Sequence, residues 1–172
     1  MPMQPAAFQL IIDEHRAIAQ VLHALKMAVD GARGPTAPPD FARLRAMLVY
    51  LDEMPARVHH ASEGGLLFPL IRERCPALRP VLDRLETEHE RGEWLVRELG
   101  HALSAWQDKG EVRREAFELL AHAYIESYLG HMRVEEDYVL PVAMDYLDDA
   151  DWETLAVEFE RQRQAMAPAR PK

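Results

Sequence analysis

Apolar residues return every three or four positions along most of the chain, the period of a helix, and no stretch alternates convincingly at the strand period of two. From Phe8 the apolar stripe runs through Ile11, Ile18, Leu22, Leu25 and Val29, and His15 fills its one gap. This predicts an amphipathic helix ending at Gly31, with a loop over Gly34-Pro-Thr-Ala-Pro-Pro39. Asp40 caps a second helix, whose apolar face carries Phe41, Leu44, Leu48 and Leu51. Pro55 is expected to kink it, and Gly64, Gly65 and Pro69 to bend the chain beyond, before Cys75-Pro76 closes the segment.

A third helix is predicted over 76–107, with Leu78, Leu82, Leu85, Val96, Leu99, Leu103 and Trp106 in one stripe, His89 within it, and Lys109-Gly110 as its stop. The fourth carries Phe117, Leu120, Tyr124, Tyr128, His131, Glu135 and Tyr138, until Pro141 interrupts or ends it. Asp148-Asp-Ala-Asp-Trp152 opens a short fifth helix reaching about Gln164. Four long helices with short connections predict an all-α, up-down-up-down four-helix bundle with an additional short C-terminal helix. A single domain is expected over 1–165, with 166–172 a disordered tail.

Composition narrows the function classes. A net charge of −9 argues against nucleic acid and anionic membrane surfaces as partners, since both need a clustered excess of Lys and Arg. No apolar run approaches the roughly 18 residues that span a bilayer. The N-terminal residues lack the basic and apolar pattern of a secretory leader. Cys75 is the only cysteine, so an intrachain disulfide and a thiolate metal cluster are both excluded. A reducing cytoplasm is the expected location.

The candidate chemistry lies in a pattern that occurs twice. His59-x-x-x-Glu63 is followed by Pro69, and His131-x-x-x-Glu135 by Pro141, at the same spacing. A four-residue step returns both side chains to one helix face, where they can present nitrogen and oxygen to one metal. The preceding helices match too: Asp13-Glu-His15 aligns with Thr87-Glu-His89. Counted from the loops at one end of the bundle, His15, His59, His89 and His131 fall at depths of roughly 22, 28, 27 and 30 Å at about 1.5 Å per residue. Four histidines from four helices thus share a layer. Burying Glu63 and Glu135 there costs several kcal/mol unless each is paired, which a dication supplies. His60 shares a face with Glu63 and is the alternative to His59, but the repeat pairs it with Met132. His23, His101 and His122 are expected as surface or satisfied polar residues and Cys75 in a loop or at a helix end; Tyr124 and Tyr128 share the stripe of His131 and are expected to pack in the core, the alternative being pocket-lining hydrogen-bond donors to a bound ligand.

This arrangement resembles the hemerythrin-like family, the HHE cation-binding domain. The resemblance covers roughly residues 8 to 145 and rests on Glu14-His15, His59-x-x-x-Glu63 with Leu67-Phe68-Pro69, Glu88-His89, and His131-x-x-x-Glu135 with Leu140-Pro141. It implies a non-haem di-iron centre: His15 and His59 on one iron, His89 and His131 on the other, with Glu63 and Glu135 bridging. Mixed nitrogen and oxygen ligation suits iron and also permits manganese or zinc. Oxygen carriers of the family have a further histidine where this chain has Glu93, a candidate seventh ligand. That departure counts against simple reversible oxygen carriage. The carriers also place the second bridging carboxylate one residue later, at Glu136; the internal repeat favours Glu135, because Gly64 matches Glu136. The expected function is binding of dioxygen, nitric oxide or peroxide for sensing, storage or protection. The alternatives are iron donation to iron-sulfur cluster repair, or a di-iron oxidase or peroxidase-type enzyme. No protein partner can be named.

Overall fold

The computed structural model describes residues 4–31 and 39–166. The loop expected at 34–39 and the tail expected at 166–172 lie outside them, apart from Pro39 and Met166. The described chain is all-helical and contains no strand. Helix α1 is Ala6–Gly31, α2 spans residues 41–74, α3 is Arg79–Lys109, α4 spans residues 114–146, and α5 is Asp149–Met166. Tight 3-10 turns, Pro76–Leu78 and Glu111–Arg113, lead into α3 and α4. Two boundaries are set by single residues. Asp40 accepts a bond from the Arg43 amide at 2.9 Å, capping α2. Gly110, at φ 75 and ψ −163, ends α3 in a region open essentially to glycine alone.

The prolines and paired glycines interrupt the α-helical pattern without ending their helices. α2 continues as helix through Pro55, Gly64, Gly65 and Pro69, and α4 continues through Pro141. A proline lacks an N–H and its ring collides with the carbonyl four residues back. Here wider π turns, Glu63–Leu67 and Glu135–Val139, precede Pro69 and Pro141; the Phe68 and Leu140 amides bond the carbonyls of Glu63 and Glu135, five residues back. A third π turn, Pro55–His59, begins at Pro55 itself. Each π turn adds a residue to its helix and rotates the helical residues beyond it. Tyr138, expected in the buried stripe, is therefore 52% exposed, while Val139 and Leu140 are buried.

Helix α3 packs against α2 and α4, and α1 packs against α2, α4 and α5. The buried apolar residues form two clusters. One contains Ile11, Phe68, Leu85, Val139 and, from α5, Trp152 and Phe159. The other contains Ile18, Leu48, Val96, Trp106 and Phe117. His15 lies between Ile11 and Ile18 on α1, and His89 between Leu85 and Val96 on α3, so the polar layer sits between the two clusters. Each fully buried leucine stabilises the fold by roughly 1.5–3 kcal/mol, which offsets the cost of burying that layer. Among the described residues, no helix is long and apolar enough to cross a membrane.

Candidate metal centre

His15, His59, Glu63, His89, His131 and Glu135 all lie within this layer, each at most 7% exposed. They come from four helices and form two groups, His15, His59, Glu63 and Glu135, and His89, His131, Glu63 and Glu135. Within each group the potential ligand atoms lie within 4.8 Å of one another. Both carboxylates belong to both groups. Glu63 Oε2 stands 3.4 Å from His59 Nε2 and 3.3 Å from His89 Nε2. Glu135 Oε2 stands 3.1 Å from His15 Nε2, and its Oε1 3.0 Å from His131 Nε2.

The rings are oriented by acids outside the layer. Glu136 holds His15 Nδ1 at 2.8 Å, Glu14 holds His59 Nδ1 at 3.3 Å, and Glu88 holds His131 Nδ1 at 2.9 Å. A carboxylate accepts only, so Nδ1 carries the proton and Nε2 turns its lone pair inward unless it is also protonated. Nε2 of His15 and of His59 are 3.0 Å apart, and those of His131 and His89 2.9 Å. Two lone pairs at that separation repel unless a proton or a cation intervenes. Glu63 Oε2 and both Glu135 oxygens are buried without a well-formed hydrogen bond. Nitrogen and oxygen lone pairs thus converge without donors to satisfy them, an arrangement that a pair of dications fits.

Protonation can replace that charge when no metal is bound. Burial alone lowers the His15 pKa, but Glu135, Glu136 and Glu63 outweigh it and hold the imidazole well above its usual value. For His131 burial is likewise outweighed by Glu135 and Glu88, and the pKa is pushed up to about 9. Burial raises the Glu63 pKa, yet His59, His15 and His89 together hold it well below the usual carboxylate range.

Glu93 stands outside both groups. Its carboxylate lies 3.1 Å from His60 Nδ1, and His60 Nε2 lies 2.9 Å from the Tyr128 hydroxyl. His60 stacks on His89, with ring centroids 3.9 Å apart. Burial, with His89 and His59 close by, lowers its pKa to about 2, so it is neutral. Glu136 remains 41% exposed on the outer side of His15. The roles of Glu14 and Glu88 across helices were not anticipated. Their signal was the Glu-His pair in each repeat: the glutamate reaches the histidine of the next helix, not its own neighbour. His23 and His101 are exposed, and His122 bonds Asp30 at 2.8 Å. Cys75 closes α2 and is buried.

Residues 6–143 match the profile of the hemerythrin HHE cation binding domain. The chain belongs to that family. No curated protein matches it significantly. Among the described residues of this hemerythrin domain, the two His/Glu groups could hold a metal cation. Helix α5 begins after the matched span ends.

Proposed function

We propose that the protein is a non-haem di-iron-binding hemerythrin-like protein that takes up dioxygen, nitric oxide or a related small oxidant for sensing, storage or stress protection. Its frame is an up-down-up-down bundle, and cytoplasmic residence keeps the lone thiol Cys75 reduced. The reading is carried by one observation: two buried histidine pairs share two carboxylates, and Glu63 Oε2 and both Glu135 oxygens lack well-formed hydrogen bonds. His15 and His59 would hold one ion, His89 and His131 the other, and Glu63 and Glu135 would bridge. The nitrogen and oxygen donor set suits iron and admits manganese or zinc. Bound iron would supply redox activity and open positions for a small ligand. The protein supplies the rest: Glu14, Glu88 and Glu136 fix ring orientation, and the two apolar clusters limit water around the centre.

The test is elemental analysis after iron-supplemented expression, with optical spectra of the reduced, oxidised and nitric-oxide-treated protein. Two irons per chain surviving desalting, with ligand bands and no turnover, is the expected result. Zero metal overturns it. Ready iron transfer to an apo acceptor would favour iron donation instead, and catalytic peroxide loss abolished by His89→Ala would favour an enzyme.

A further inference from the structure

Three of the four histidines of the centre are each held by an acid at Nδ1: His15 by Glu136, His59 by Glu14 and His131 by Glu88. His89 is the exception. Its polar contacts among the described residues all run through Nε2, to His131 at 2.9 Å, Glu63 at 3.3 Å and Glu135 at 3.8 Å. The repeat position equivalent to Glu136 is Gly64, so this half has no acid to offer there. An imidazole turns about two side-chain bonds, and a hydrogen bond at the nitrogen that does not face the metal is the usual restraint on it.

Two rings stand where that restraint is missing. His60 stacks on His89 with centroids 3.9 Å apart and planes 15° from parallel, and Phe68 lies 5.9 Å away at 10°. Phe68 is fully buried and fixed by packing. His60 is fixed by hydrogen bonds at both ring nitrogens. Its Nδ1 donates to Glu93 of α3 at 3.1 Å, and its Nε2 accepts from the Tyr128 hydroxyl of α4 at 2.9 Å. The ring of an α2 residue is thereby tied to the two helices that carry His89 and His131. The other half of the repeat has no such unit: Met132 is the equivalent of His60, and Ala19 of Glu93. The stack therefore occurs in the half whose histidine lacks an acid.

We propose that His60 is a positioning residue for His89: its ring, held by Glu93 and Tyr128, fixes the His89 imidazole by stacking, and the ion on His89 and His131 is the more weakly held of the two. The second part follows from the first. A carboxylate on Nδ1 orients a ligand imidazole and also makes it more basic, whereas a stacked neutral ring only orients it. This rests on the di-iron reading above.

The experiment titrates the metal-free full chain anaerobically with isotopically enriched ferrous iron against a competing chelator, with Mössbauer spectra at substoichiometric and saturating iron. The parent should show two affinities and two quadrupole doublets, one filling before the other. His60→Leu and His60→Phe both lose the hydrogen bonds to Glu93 and Tyr128, but only phenylalanine keeps a flat ring against His89. His60→Leu should weaken the second ion about 10- to 100-fold and shift the second doublet, leaving the first in place. His60→Phe should recover most of that affinity. Glu93→Gln, whose amide oxygen still accepts from His60, should match the parent. Circular dichroism checks the fold of each metal-free variant, and His60→Met, the residue of the other half, replaces the leucine variant if that one does not fold. Equal losses in His60→Leu and His60→Phe overturn the stack. Equal weakening of both ions in His60→Leu overturns the link to His89, and loss of an ion in Glu93→Gln makes Glu93 a ligand and overturns its role as holder of His60. Two ions of one affinity in the parent overturn the asymmetry. A parent that binds no iron overturns the functional reading itself, whereas a parent that binds two ions and is matched by His60→Leu overturns the positioning role alone.

Discussion

Replacing Glu135 and Glu136 one at a time by glutamine separates a shared ligand from an acid that orients one. Glu135 is 1% exposed and stands 3.1 Å from His15 Nε2 and 3.0 Å from His131 Nε2, so its loss reaches both histidine pairs. Removing one partner from a buried charged cluster costs about 3–5 kcal/mol, roughly a hundredfold to several thousandfold in affinity. Glu136 touches only the outer nitrogen of His15, at 2.8 Å, and is 41% exposed. Losing such an orienting partner weakens a metal site about 10- to 100-fold, and solvent screening places this case toward the lower end. The assay is anaerobic titration of the metal-free proteins with ferrous iron against a competing chelator, then elemental analysis after desalting. Glu136→Gln should retain both ions, one of them more weakly held. Glu135→Gln should lose tight binding at both positions. If Glu136→Gln loses both ions while Glu135→Gln retains two, the assignment of the bridge is wrong.

Glu88→Gln releases His131 Nδ1 from its 2.9 Å partner and should lower iron affinity about 10- to 100-fold without changing the number of ions at saturation; competition titration checks this. In the metal-free protein, stability should peak near pH 6.5 and fall on both sides, because two shifts act in opposite directions. The His60 pKa lies near 2 when folded, against 6.5 unfolded, so acid protonates the unfolded chain first; by pH 5 this removes about 2 kcal/mol. The His131 pKa is raised to about 9, so its stabilisation is complete below 6.5 and lost as pH rises through 9. Urea unfolding across this range measures both limbs, and His60→Gln should flatten the acid limb alone. Gly110→Ala forces a side chain into φ 75, ψ −163 and should destabilise the fold by roughly 1–3 kcal/mol, seen as a lower melting temperature with unchanged iron content.

Much of the centre is legible in one dimension because its determinants are local. A four-residue step puts His59 with Glu63, and His131 with Glu135, on one face whatever the rest of the chain does. Histidines in the gaps of apolar stripes, at His15 and His89, had to be buried. How the chain accommodates its prolines was not legible, for a physical reason. Pro69 and Pro141 are strong breakers of an α-helix, but a π turn removes the conflict, and nothing in the local sequence distinguishes a break from a widened turn. Tyr138 is therefore exposed, and Val139 is buried.

The sequence by itself determined the all-helical class, the family, and the pairing of histidine with glutamate along each helix, since period and spacing act within one element. Only the tertiary structure decided which acid meets which ring across helices: Glu14 on His59, Glu88 on His131, Glu136 on His15, and Glu93 on His60. It also decided that α5 packs on α1 and on the π turn Pro55–His59. Such contacts depend on the depth and rotation at which two helices meet. A single extra residue in a π turn rotates everything after it by about 100°, so the order of residues alone cannot determine them.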